Sequence, residues 1–277
     1  MAETGTSNLL KRVAVALIGI PVIVWLTWMG GVFFFSLILL LALLASYEFY
    51  RLLSVRAFPP ALPWFLFFSL VLQLNFFVQV TEPWLLFLVI LMVFLVMELF
   101  RTAGSRIVNI GSSMTALLYV NTAFGSLMLI RNFEPTGFSY VLLLFVCIWS
   151  ADIMAYFGGS RLGGKFFKQK FFERLSPHKT WEGFFAGCAG SVLGSAVVAY
   201  FDSALHTVFA LFTGLFIGLL SPLGDLIESM FKRDAEVKDS SSLIPGHGGI
   251  LDRFDTVMFI SPLLYLYLFF ARSLSGL

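Results

Sequence analysis

Residues 221–255 read SPLGDLIESMFKRDAEVKDSSSLIPGHGGILDRFD, and they place charges where the surrounding chain tolerates them least. Asp225 falls inside one apolar run, Asp252 and Asp255 open the next, and a polar loop with Lys232, Arg233, Lys238, Asp239 and His247 joins them. Ionisable groups inside apolar segments are costly and mark functional sites. Several acids interleaved with cations have the composition of a metal and phosphate site.

Outside this stretch the chain is oily. Of its 277 residues, 59% are hydrophobic and 12% charged, with a mean hydropathy of +0.92, far from the roughly one-quarter charged residues of soluble domains. Apolar runs near the ~20 residues that cross a bilayer predict an all-α polytopic membrane protein. Nine spans are expected, at about Val13–Met29, Val32–Tyr50, Leu62–Val80, Trp84–Phe100, Ile107–Ile130, Phe138–Phe157, Gly183–Tyr200, Leu205–Phe231 and Gly249–Ala271. They divide into an N-terminal region, 1–137, with about five spans, and a catalytic region, 138–277, with about four spans and two polar loops. The fifth span carries Asn109, Ser112, Ser113, Thr115 and Asn121, so it is expected to face other helices.

Charge placement supports this count. With the N-terminus in the cytoplasm and the C-terminus outside, only Arg131 and Arg272 of the 18 Lys and Arg fall on the far side, as the positive-inside rule requires. Both polar loops then face the cytoplasm. The net charge of +2 is too small to suggest nucleic acid, and none is expected as a partner. Cys147 and Cys188 lack metal-ligand spacing and read as buried thiols. Lys11 and Arg12 precede an apolar run with no small-residue cleavage site, so that run is read as a retained first span.

Asp252 and Asp255, at i and i+3, share a helical face. Asp225 lies about 9 Å inside its helix at ~1.5 Å per residue, so two antiparallel helices can converge three carboxylates. Oxygen ligands without a Cys or His cluster favour Mg2+ or Mn2+ over zinc. The bland alternative is an ion network with Arg253, Lys232 and Arg233. Before the last helix, Pro245, Gly246, His247, Gly248 and Gly249 form a turn that can bring backbone N–H groups to a phosphate. A lone glycine-rich turn is more often a simple reversal.

Taken together, Ser229-Met-Phe-Lys232-Arg233, then Lys238-Asp239, then Pro245-Gly-His247-Gly248-Gly-Ile-Leu-Asp252-Arg253-Phe-Asp255 resembles the signature of the phosphatidate cytidylyltransferase (CDP-diacylglycerol synthase) family. Two upstream segments resemble it too: Asp152-Ile-Met-Ala-Tyr156-Phe-Gly-Gly159, and Ser176-Pro-His178-Lys179-Thr-Trp-Glu182-Gly183, where His178 departs from the usual lysine. The resemblance implies an enzyme of the bacterial inner membrane that condenses CTP with phosphatidic acid, releasing pyrophosphate. It implies Asp225, Asp252 and Asp255 as metal ligands and Lys232 as a further catalytic group. Asp152, Ser176, Lys179, Arg233, Lys238, Asp239, His247, Gly248 and Arg253 become substrate contacts. A homodimer fits the resemblance, and a second cation is left open. The competing readings are a nucleotidyltransferase for another lipid phosphate and an ion or phosphate transporter. The loop Lys165-Phe-Phe-Lys168-Gln-Lys170-Phe-Phe-Glu-Arg174 suits the headgroup layer, as lipid collector or as plain positive-inside anchor. Glu182 reads as a first-turn acid, and Glu48 and Glu98 read as structural.

Overall fold

The computed structural model describes residues 5–241, 243 and 248–275, with side chains from residue 17 to residue 273 of these. Among them are nine α-helices and one small β-ribbon. The helices are α1 (Gly5–Met29), α2 (Gly31–Leu53), α3 (Leu62–Val78), α4 (Pro83–Leu99), α5 (Arg106–Arg131), α6 (Gly137–Leu162), α7 (Trp181–Phe201), α8 (Thr207–Asp234) and α9 (Leu251–Ser275). Each expected segment is a helix. Among the described residues, six of the helices, α2 and α5 to α9, are long and apolar enough to cross a membrane. Helices α3 and α4 have 17 residues each, about 26 Å at ~1.5 Å per residue against a ~30 Å hydrocarbon core. Each begins with a proline in its first turn, where the missing N–H costs no helical bond. The chain is an integral membrane protein of all-α type.

The chain divides into two compact units. The first comprises Met1–Met128 with Asp234–Phe254, the second Leu129–Arg233 with Asp255–Leu277. Inside the first, α2 buries Phe34, Ile38, Leu41, Ala45, Phe49 and Leu52, a helical period along one face. Helix α5 is the most enclosed of the six, with 72% of its apolar window buried. Its polar residues explain why. Asn121 accepts from Ser69 at 2.8 Å and from Gln73 at 3.0 Å, and Ser69 meets Ser46 at 3.0 Å. Such interhelical bonds are worth roughly 0.6 kcal/mol each in a membrane, and they fix which faces meet.

In the second unit close approach joins polar contacts such as that of Ser191 Oγ in α7, which donates to the Gly214 carbonyl of α8 at 2.7 Å. A Cβ added at Gly190 of α7 would lie 2.6 Å from the Ser150 carbonyl of α6. Only glycine permits that separation, which is how small residues bring membrane helices together. One added at Gly224 of α8 would lie 2.6 Å from Thr256 Cα and 2.9 Å from the Asp255 carbonyl of α9. Above that crossing Tyr267 stacks between Phe209 and Phe216 at 5.4 and 5.2 Å. Gly224 therefore sets the distance between two helices exactly where their acids lie.

The basic segment after α6 is more ordered than the expected loop. Strands β1 (Lys170–Phe172) and β2 (Ser176–Thr180) pair antiparallel, with Lys170 opposite Thr180 and Phe172 opposite Ser176. Thr180 then caps α7, its hydroxyl accepting from Gly183 N at 3.1 Å. Glu182 is buried, and its Oε1 accepts from the backbone of Phe166 at 2.9 Å and of Phe167 at 3.0 Å. One acid thus anchors the start of the segment to the helix that follows it.

Candidate active site

In the second unit, α6, β2, α7, α8 and the start of α9 enclose a cavity of about 510 Å³. Asp152, Tyr156, Ser176, His178, Lys179 and Asp225 all line it. The β-ribbon positions Lys179, whose Nζ lies 2.6 Å from Asp225 Oδ2 and donates to the Pro222 carbonyl at 3.2 Å. Pro222, one turn before Asp225, has no N–H to give the Gly218 carbonyl, so α8 lacks one of its backbone bonds there. A cation and an acid on separate elements therefore meet at the cavity wall.

Asp225 also belongs to a cluster. Oxygens of Asp225, Glu228 and Asp255 lie within 4.8 Å of one another. Three carboxylates this close repel one another unless a cation lies among them. Two oxygens on one hard divalent cation, each at ~2.1 to 2.6 Å from it, stand no more than about 5.2 Å apart, so all three carboxylates lie close enough together to reach a single ion. Lys232 supports the rim, its Nζ lying 2.8 Å from Glu228 Oε2 with both groups largely buried. Ser229 donates to Asp225 Oδ1 at 3.3 Å, and Thr256 N donates to Asp255 Oδ1 at 2.6 Å. The donor set fits a magnesium-like ion.

The first unit holds a second group of acids. Asp252 Oδ2 accepts from Ser240 N at 3.0 Å, Ser240 Oγ at 2.9 Å and Gly249 N at 2.8 Å. Here Asp252 ties the polar loop to the first turn of α9. Gly248 has a φ of +83°, and a Cβ there would stand 2.8 Å from the same carboxylate oxygen. Lys238, Asp239, Arg233 and Arg253 are exposed. His247, with Pro245 and Gly246, lies outside the described residues. The structure thus brings Asp225 and Asp255 into one cluster, with Lys179 beside them, and gives Asp252 partners in the loop.

From the sequence alone Glu228 is passed over and Glu48 is taken only as a structural acid. Glu228 stands at i+3 from Asp225 and i−4 from Lys232, a helical-face signal that was available. Glu48 of α2, 0% exposed, accepts from Ser240, Ser241, Ile250 and Leu251, some 190 to 200 residues away. No local pattern announces such partners. Cys147 and Cys188 are buried free thiols, as composition implied.

Fold and site together define the class, a helical membrane enzyme with its carboxylates and lysines gathered toward helix ends. The chain belongs to the cytidylyltransferase family, whose model matches residues 10–271. It is 35% identical over 274 residues to a phosphatidate cytidylyltransferase of Brucella abortus, covering 94% of this chain and 93% of the relative. It is similar to the enzyme of that name from Synechocystis, 34% identical over 287 residues with 93% and 95% coverage. With that of Bacillus subtilis it shares 39% identity over 161 residues, 58% of each chain.

Proposed function

We propose that this protein is a CTP:phosphatidate cytidylyltransferase, transferring the cytidylyl group of CTP to phosphatidic acid to give CDP-diacylglycerol and pyrophosphate. The observation that carries this reading is the convergence of Asp225, Glu228 and Asp255 beside Lys179 at a cavity, in a member of the cytidylyltransferase family. An oxygen of the lipid's phosphate monoester bonds to the α-phosphorus of CTP. The bond from that phosphorus to the oxygen bridging the β-phosphate breaks, and pyrophosphate leaves with the electron pair. The second pKa of a phosphate monoester is about 6, so the nucleophile is largely ionised at neutral pH and needs no protein base.

The protein's task is then positioning and charge neutralisation, the main contributions in phosphoryl transfer. Asp225, Glu228 and Asp255 would hold a Mg2+ or Mn2+ ion, with a second cation left open. Such an ion, when bound, neutralises phosphate charge. Lys179 can exchange Asp225 for a phosphate oxygen while keeping the Pro222 carbonyl. Asp152, Ser176 and Tyr156 line the space for substrate, and Arg233, Lys238, Asp239, His247, Gly248 and Arg253 form the polar segment engaging the nucleotide phosphates. Lys232 holds Glu228 in place. The distribution of Lys and Arg supports an N-terminus and active site facing the cytoplasm of a bacterial inner membrane, with the C-terminus outside. Assembly as a homodimer belongs to the same reading.

The test is incubation of purified protein and Mg2+ with phosphatidic acid and each labelled nucleoside triphosphate. Liponucleotide is expected from CTP. No product from CTP, or a clear preference for polyprenol phosphate as acceptor, overturns the reading.

A further inference from the structure

Glu48 is fully enclosed near the end of a helix long and apolar enough to cross a membrane. A carboxylate so placed is costly unless donors saturate it. Its Oε1 accepts from Ser241 Oγ at 2.6 Å and from Ile250 N at 2.9 Å. Its Oε2 accepts from Leu251 N at 2.9 Å and lies 2.9 Å from Ser240 Oγ. That hydroxyl is equally 2.9 Å from Asp252 Oδ2, so its single proton serves the two carboxylates in turn.

These donors are of two kinds. Ser240 and Ser241 belong to the polar loop, while Ile250 immediately precedes α9 and Leu251 opens it. The first amides of any helix lack an intrahelical acceptor, and the usual remedy is a Ser, Thr, Asp or Asn just before it. Ile250 stands there and offers no side-chain acceptor, so α9 takes its cap from α2. Little slack remains, since a Cβ on Gly249 would fall 2.0 Å from Ser240 Oγ and 2.4 Å from Glu48 Oε2. A well-packed apolar residue commonly stabilises a helix pair as well as a buried charge does. What the carboxylate adds is a unique loop geometry.

We infer that Glu48 is a positioning residue for nucleotide binding, an inference that rests on the function proposed above. By clamping Ser240, Ser241 and the first amides of α9 together, it fixes the segment that presents Lys238, Asp239 and Gly248 and the helix that carries Asp252 and Asp255. The clamp acts on binding of CTP, because the residues it orders are those of the phosphate-contacting segment. Phosphatidic acid binds through the cavity residues, which the clamp does not touch.

The test uses the full-length protein in detergent with Mg2+. In Glu48→Gln one oxygen becomes an NH2 facing existing donors, at nearly unchanged volume. The KM for CTP should rise about tenfold or more, the size expected for lost bonds to a charged group, with the KM for phosphatidic acid within twofold. Ser241→Ala, which spares the cap, should raise the KM for CTP about threefold. Trypsin cleavage after Lys238 should accelerate in both variants, and this readout needs no activity. A purely structural Glu48 would lower the yield of folded protein and leave the KM for CTP of the folded fraction unchanged. Variants matching the parent in CTP KM and in cleavage rate overturn the inference, and Ser241→Ala alone decides it should Glu48→Gln not be recovered. A parent that makes no liponucleotide but shows the cleavage difference sinks the proposed function and leaves the clamp standing.

Discussion

The two acid clusters use the same side chain for opposite ends. Around Glu48 and Asp252 the carboxylate oxygens meet backbone amides and serine hydroxyls at 2.6 to 3.0 Å. Around Asp225, Glu228 and Asp255 the oxygens face one another within 4.8 Å. Backbone amides and hydroxyls tie the first pair to a loop, whereas the second cluster crowds carboxylates beside Lys179 and Lys232, an arrangement that suits a cation. Asp252 and Asp255, one helical turn apart in a single motif, fall on different sides of this division.

The division is broken most directly at Asp255. Asp255→Asn should lower turnover about a thousandfold or more, since in the proposed function the lost group belongs to the cluster that meets phosphate charge. Without divalent metal the variant should melt no lower than the parent, because a repelling charge has gone. The parent should gain thermal stability on adding Mg2+, as any ligand of the native state confers, and the variant should lose that gain. Excess EDTA should silence the parent and Mg2+ restore it. Parent-like turnover in purified Asp255→Asn would remove these acids from catalysis.

Glu228→Gln comes next. Glu228 sits between Lys232 and the other two acids, so losing its charge should cost about 10- to 100-fold in metal affinity or turnover. A titration of activity against Mg2+ measures it. An unchanged half-saturating Mg2+ concentration would mark Glu228 as merely Lys232's partner.

The helices and the polarity of α5 were legible because hydropathy and helical period are local properties, readable within one segment. Asp225 and Asp255 were legible for the same reason, as acids in apolar runs. The contrast between Asp252 and Asp255 was not. Sequence spacing puts both on one helical face, whereas their partners are Ser240 and Gly249 for one and a residue of α8 for the other. Glu48 was read as a generic structural acid, since its donors are nearly 200 residues distant.

Asp252→Asn tests that contrast inside one motif. The structure gives Asp252 Oδ2 three donors in the loop and helix start, so the amide should weaken the tie and raise the KM for CTP about tenfold. Its turnover at saturating CTP should exceed that of Asp255→Asn by at least about tenfold. Equal losses in the two variants would place both acids in one centre.

The smallest effect is expected at the loop's other anchor. Arg56, just beyond α2, lies 2.6 Å from Glu236 Oε1 and donates to the Asp234 carbonyl at 2.9 Å. It thus holds the same segment that Glu48 clamps, but both side chains are mostly exposed, at 52% and 73%. Exposed pairs contribute about 0.2 to 1 kcal/mol, because water competes for each partner and salt screens them. Arg56→Ala should therefore leave the KM for CTP within about twofold of the parent, and raising the salt concentration should shrink even that difference. A Glu48-sized effect from Arg56→Ala would mean that the number of tethers, not their burial, governs the loop, and the distinction between the clusters would lose its physical basis.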